Sequence, residues 1–242
     1  MATDRLHRDR RITLHRKQPR RRHAMTQDQD WDTAEQAVTD GADQLRTATT
    51  HRDIRAWAQD AGVATKRLWP KVKTELRKQL DIDYDQLRED TVAAEAAEVD
   101  AAASDAPVIE LFCAGDDEVA TYAVCAVHDD HESWYGQFHD KDIVYRPGDE
   151  LSAERSAADK AIYLAGKARE KAGLDTVRLI LHTSHHELSA ELLASTASRH
   201  RVAVTIEVTD QNPAIALCRA PGYRTWREIK LDSLFTATEV AP

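Results

Sequence analysis

No apolar run in the 242 residues approaches the roughly 20 needed to cross a bilayer as a helix, so neither a membrane span nor a membrane partner is expected. No hydrophobic stretch of signal-peptide type follows the basic start of the chain, and an export signal is not expected either. Cysteine is scarce: Cys113, Cys125 and Cys218 are three, an odd number without metal-ligand spacing. They read as reduced thiols inside a core, which predicts a cytoplasmic protein. Aromatic residues are lean at 6%, while 42% hydrophobic and 31% charged residues fit a globular chain of one large or two modest domains. The abundance of alanine and the bias to arginine over lysine suggest a GC-rich genome, a coding effect that carries no function.

What is present centres on residues 108–220. Val108 to Cys113, Val119 to Val127 and Trp134 to Phe138 are strand-like runs with about five and about six residues between them, which predicts an antiparallel meander. A helix is predicted from Ala153 to Ala172, with Ser152 as N-cap, Glu154 in the first turn and Gly173 just past the end. Ala157, Ala161, Leu164, Ala165 and Ala168 give it one buried stripe. Val177 to Leu181 is a fourth strand, Glu187 to Ser198 a second helix and Val202 to Val208 a fifth strand. Strand, long helix and strand call for right-handed crossovers onto parallel neighbours.

This order, βββαβαβ, resembles the ribonuclease H-like fold, and four stretches extend the likeness to ribonuclease H type I. Phe112-Cys113-Ala114-Gly115-Asp116 stands where that family has FTDGS on its first strand, and Lys160-Ala161-Ile162-Tyr163-Leu164 where its first helix reads AAIVAL. Leu179-Ile180-Leu181-His182-Thr183-Ser184 matches a fourth strand ending in T-D-S, and Asn212 to Arg219 is similar to the final helix carrying N-E-x-x-D-x-L-A. The resemblance implies an α/β domain with a five-stranded mixed sheet. In an active member it also implies four carboxylates holding two Mg2+ or Mn2+ ions around the scissile phosphate. The matching positions are Ala114, a small residue near Ala157, Ser184 and Ala216. None can serve as a charged oxygen ligand. The resemblance therefore points to a catalytically degenerate domain without a metal.

Acidic and imidazole groups do lie nearby: Asp116, Asp117, Glu154, His185, His186, Glu187 and Asp210. Several follow strand ends, where open α/β sheets place ligands. Two readings of them stand side by side. Asp116, Asp117, Glu154, His185 and Asp210 are the candidates for a relocated metal-dependent nuclease site. Alternatively, Asp116 and Asp117 make the turn between the first two strands, Glu154 favours a helix N-terminus, and His185-His186-Glu187 is the approach to the second helix.

Ahead of this domain, residues 1–24 hold nine Lys or Arg against two Asp, a net +7. They are read either as a disordered nucleic-acid-binding arm or as residues upstream of a true start at Met25. From Trp31 to about Leu87 the pattern is helical, with amphipathic segments at Thr33 to Leu45 and Asp53 to Ala61 and a third helix opened by Pro70 and carrying Val72, Leu76 and Leu80. Between Arg46 and Leu80 nine basic residues outnumber three acidic ones, a net +6. Arg52, Arg55, Lys66, Arg67, Lys71, Lys73, Arg77 and Lys78 form the expected nucleic-acid-binding patch, and a solvated helix face is the alternative. Ile54-Arg55-Ala56-Trp57-Ala58-Gln59-Asp60-Ala61-Gly62 with Lys66-Arg67-Leu68-Trp69-Pro70 resembles the DNA-binding end of actinobacterial histone-like nucleoid proteins, which read I-R-x-W-A-x-x-x-G and then R-G-R-I-P. Here the spacing is about two residues shorter and the central glycine is absent.

Asp90 to Pro107, alanine and acids, reads as an acidic linker, helical in part, and Gly222 to Pro242 is apolar enough to pack back on the domain. Residues 107–242 hold 14 Lys or Arg against 22 Asp or Glu, a net −8 that repels a polyanion. Three functions follow: an adaptor whose helical module contacts DNA or RNA and whose degenerate domain serves binding or self-association; a divergent nuclease with relocated acids, using Mg2+ or Mn2+; and a protein-binding scaffold without nucleic-acid contact.

Overall fold

The computed structural model describes residues 20–129 and 131–236, with the backbone alone for residues 20–27. Most of the basic arm, residues 1–19, lies outside the described residues. Two compact units meet in sequence between Arg88 and Glu89.

The first unit contains α1 (Arg20–Asp40), α2 (Ala42–Thr47), α3 (His51–Asp60) and α4 (Trp69–Leu80), and α5 (Tyr84–Ala102) starts within it. The single segment expected from Thr33 to Leu45 is divided at Gly41. A Cβ there would come 2.3 Å from the Trp57 indole nitrogen, so the close approach of α3 requires glycine at the bend. Thr50 and Asp53 form a reciprocal capping box that starts α3, and Pro70 lies in the first turn of α4 as expected. Val38, Ile54, Val72 and Leu76 are fully buried around Trp57.

The second unit is an α/β layer structure. Its strands are β1 (Val108–Asp116), β2 (Thr121–Ala126), β3 (Ser133–Gln137), β4 (Val177–Thr183) and β5 (Val202–Val208). Its helices are α6 (Glu150–Ala172), α7 (Ala190–His200) and the short α8 (Ala214–Cys218). The sheet order is β3-β2-β1-β4-β5, antiparallel across the first three strands in sequence and parallel across β1, β4 and β5. A five-stranded mixed sheet with two helical crossovers is the architecture that the hydrophobic pattern predicts. The alanine stripe of α6 is fully buried, and its short side chains let the helix lie close on β1 and β2.

Several boundaries differ from the pattern. α6 begins at Glu150, so the cap is Asp149, whose carboxylate accepts the Ser152 N–H at 3.0 Å; Ser152 lies inside the helix. α7 starts at Ala190 rather than Glu187, because Leu188 is drawn into the core and residues 184–189 turn to allow it. The last helix shortens to Ala214–Cys218. The alanine-rich stretch read as a linker is helical to Ala102; Val99 and Ala103 are buried, and the Thr176 hydroxyl donates to Ala102 O at 3.1 Å. The C-terminal stretch packs back, with Ile229 and Leu234 buried and Thr236 N–H bonded to Val108 O at 2.9 Å. Among the described residues no helix is long and apolar enough to cross a membrane.

Candidate functional site

β1 and β4 run parallel, and their carboxyl ends open into a cleft of about 290 Å3 bordered by Asp116, Glu154, Ser184, His185, Ile215 and Arg219. Gly115 sets its depth. A Cβ at Gly115 would stand 2.2 Å from the backbone oxygen of Ala153, so only glycine lets the first turns of α6 touch the end of β1. That contact brings Glu154 beneath the sheet edge, at 3% exposure.

The Glu154 carboxylate is held from both sides. Oε2 accepts the Gly115 N–H at 2.7 Å; Oε1 accepts the Thr183 hydroxyl and the Cys113 thiol, the latter at 3.6 Å. It ties β1, β4 and α6 together, a role different from either sequence reading of it. Burial pushes its carboxyl above the ordinary range; the Thr183, Gly115 and Cys113 donors oppose that rise without cancelling it. Burial likewise raises the Cys113 thiol well above its usual value and carries Cys218 up to about 12, with Glu154 adding to both. Both thiols therefore stay protonated at neutral pH and act as donors, Cys218 to Ala114 O at 3.2 Å.

Asp116 does the work of a turn residue. Oδ1 accepts the N–H groups of Glu118 and Val119 at 3.1 and 3.2 Å, and Oδ2 meets Arg219 Nε at 2.9 Å. Burial works to raise its carboxyl, but Arg219 and the two turn N–H groups outweigh burial and hold it below the ordinary value. Asp117 is half-buried, its carbonyl accepting from Tyr145 at 3.5 Å. The His185 N–H caps Thr183 Oγ1 at 3.0 Å, His186 and Glu187 are exposed in the loop, and the exposed Asp210 does not border the cleft. Two residues escaped sequence reasoning as site groups. Thr183 is one. Asn212 is the other: it is buried, donates to Cys113 O at 2.7 Å and accepts the Ala214 N–H at 3.0 Å, which fixes α8 over the strand. Its place directly before Pro213 was the available signal.

A two-metal centre does not fit these groups. Ala114, the small residues near Ala157, Ser184 and Ala216 carry no carboxylate, Glu154 already accepts three hydrogen bonds, and Asp116 is paired with Arg219. Among the described residues no group of three or more His, Cys, Asp or Glu is placed to hold a metal ion.

The basic residues of the first unit divide into two sets. Arg55 lies 4.5 Å over the Trp69 ring, and Lys71, with 16% of its side chain exposed, pairs with Asp30 at 3.7 Å. Lys73 pairs with Asp85 at 2.6 Å. These three are tied into the unit. Arg67, Arg77 and Lys78 are 70, 69 and 62% exposed, although each also meets an acid, Asp30, Asp83 and Glu75 respectively. Lys66 and Arg52 are exposed as well. The acids of α1 and of the turn after α4 thus close on the cationic segment. Over residues 28–88 ten Lys or Arg stand against twelve Asp or Glu, a balance of −2. A shallow depression of about 730 Å3 over Trp57 is bordered by Asp32 and Asp40, so that face is anionic.

No protein-family model, no curated protein and no solved structure matches the chain.

Proposed function

We propose that the second unit is a ribonuclease H-like domain that does not carry out two-metal hydrolysis, within a nucleic-acid-associated adaptor. The observation that carries this reading is Glu154. At the sheet end where the resemblance implies a metal-binding carboxylate cluster, the buried acid is spent on Gly115, Thr183 and Cys113. Nucleic-acid contact then belongs to the exposed cations of the first unit: Lys66, Arg67, Arg77 and Lys78. The Arg77–Asp83 pair is a surface ion pair worth roughly 0–1 kcal/mol, so a phosphate can displace Asp83, whereas Asp30 and Glu75 are buried and a phosphate would meet the exposed faces of Arg67 and Lys78 beside them.

Two measurements test the reading. With Mg2+ or Mn2+ an RNA–DNA hybrid stays uncut above background; cleavage that vanishes in Glu154→Gln or Asp116→Asn would instead support the nuclease with relocated acids. Binding to duplex DNA falls with salt at a log–log slope of about −3 to −4 for four phosphate contacts, and alanine at all four positions removes it. The balances of −2 over residues 28–88 and −8 over residues 107–242 favour a second reading, a protein-binding scaffold, and that reading stands if no salt-dependent binding is found.

A further inference from the structure

The two edges of the sheet are unlike. The outer edge of β3 is met by the C-terminal segment, Tyr135 and Arg224 exchanging backbone bonds of 3.2 and 2.9 Å. β5 has β4 on one side and, among the described residues, no strand on the other. Two bonds fix its orientation. The Val177 N–H donates to Arg201 O at 3.3 Å, and the Thr209 N–H donates to Thr183 O at 2.8 Å. Because successive residues of a strand point their backbone groups to opposite sides, the odd-numbered residues from 201 to 209 face β4. Val204, Ile206 and Val208 therefore turn their N–H and C=O groups to the open edge, while Val202, on the same side, is buried. Nothing blunts that edge: β5 contains no proline, lysine or bulge, and Glu207 is its one charge.

We propose that this edge pairs antiparallel with the same edge of a second copy of the chain, about a two-fold axis at Thr205. That operation sets Val204 against Ile206 of the second copy, apolar to apolar, and Ile206 against Val204. The backbone groups of both residues face outward, so these two pairs exchange two bonds each, about four in all. Their side chains extend the apolar row on which Val202, Val204 and Ile206 already pack. On the other face Thr205 opposes Thr205, and Glu207 opposes Ala203 rather than another acid. Two five-stranded sheets become one of about ten. The proposal needs only the sheet edge and stands apart from the ribonuclease H-like reading.

Cysteine scanning of the full chain tests the register. Opposed residues of a non-hydrogen-bonded pair have Cα atoms about 4.5 Å apart, within the range a disulfide accepts. Under mild oxidation Thr205→Cys gives a covalent species of about twice 27.2 kDa, with the three native cysteines buried and unreactive. Glu207→Cys lies about 14 Å from its own copy and stays a monomer. Thr205→Lys sets two ammonium groups face to face and weakens association at least tenfold in sedimentation, with unchanged circular dichroism because the side chain is exposed. Mixing it with Thr205→Glu restores the dimer. A wild-type chain that remains monomeric up to about 1 mM, or equal cross-linking from both cysteine variants, overturns the proposal.

Discussion

Replacing Glu154 separates a structural acid from a chemical one. Glu154→Ala leaves the Gly115 N–H and the Thr183 hydroxyl as buried donors without acceptors, at about 1–3 kcal/mol each. With the void of the lost side chain the second unit loses roughly 3–6 kcal/mol. At about 2–4 °C per kcal/mol for a domain of this size, its melting point falls by some 6–24 °C. Glu154→Gln is the informative partner. The amide oxygen can take the Gly115 N–H, and the amide NH2 can donate to Thr183 Oγ1 and Cys113 Sγ, both of which also accept. No charge is buried, so at pH 7 this variant is close to the wild type or more stable. The pH dependence fixes the sign. Burial raises the folded carboxyl above its ordinary 4.5, so the protonated form is the one the fold favours. That contribution is fully present below pH 4.5 and is lost as pH rises through the folded value. The stability of the wild type relative to Glu154→Gln therefore declines with rising pH. Thermal melts of both proteins from pH 4 to pH 8 measure it. A Gln variant as damaged as the Ala variant, or a difference flat across pH, would refute the reasoning.

Three further outcomes are expected. Gly115→Ala forces a methyl against the Ala153 backbone, 2.2 Å from its oxygen, and costs about 3 kcal/mol or more in urea unfolding of the second unit. Asp142 is held at about 2: burial would raise it, but Lys160 at 2.7 Å and Ser156 at 2.6 Å prevail. Its contribution is therefore present above pH 3.8 and lost as pH falls towards 2, and Asp142→Asn flattens that acid limb in a pH series of melts. Thr50→Ala removes the side-chain half of the α3 capping box and lowers the stability of the first unit by about 1 kcal/mol in chemical denaturation.

Much of the second unit was legible because its signals are local and repetitive. The alternation in β1 and β4, the alanine stripe of α6 and Gly173 at its end each name an element without reference to the rest of the chain. Parallel pairing followed from connection length. The cap of α6 was misplaced because Asp149 and Ser152 are both good caps at helix spacing, and only the bond from Ser152 N–H to Asp149 decides between them. α7 slipped by three residues since Leu188 serves the core from a turn, which periodicity reads as helix. The cleft was legible as polar groups gathered past strand ends, but the placing of Glu154 was not. Whether Glu154 points into solvent or under the sheet depends on Gly115, 39 residues away, admitting the helix to contact.

The charge reading shows a different limit, that of a window. The segment from Arg46 to Leu80 is cationic when counted alone, and the count contains nothing about what packs on it. α1 lies against α4, which puts Asp30 beside Arg67 and Lys71; the turn after α4 brings Asp83 and Asp85 back to Arg77 and Lys73. Arg67, Lys71, Lys73 and Arg77 thus meet acids outside the window, and Lys78 the Glu75 within it. Such pairing leaves electrostatic attraction local, since phosphate must compete with a carboxylate for each paired cation, while residues 28–88 together carry −2. Asp83→Asn and Asp30→Asn release Arg77, Arg67 and Lys71 without touching a basic residue. If the patch grips phosphates, the double variant binds duplex DNA more tightly than the wild type at equal salt, and a variant that binds no better places the contact elsewhere.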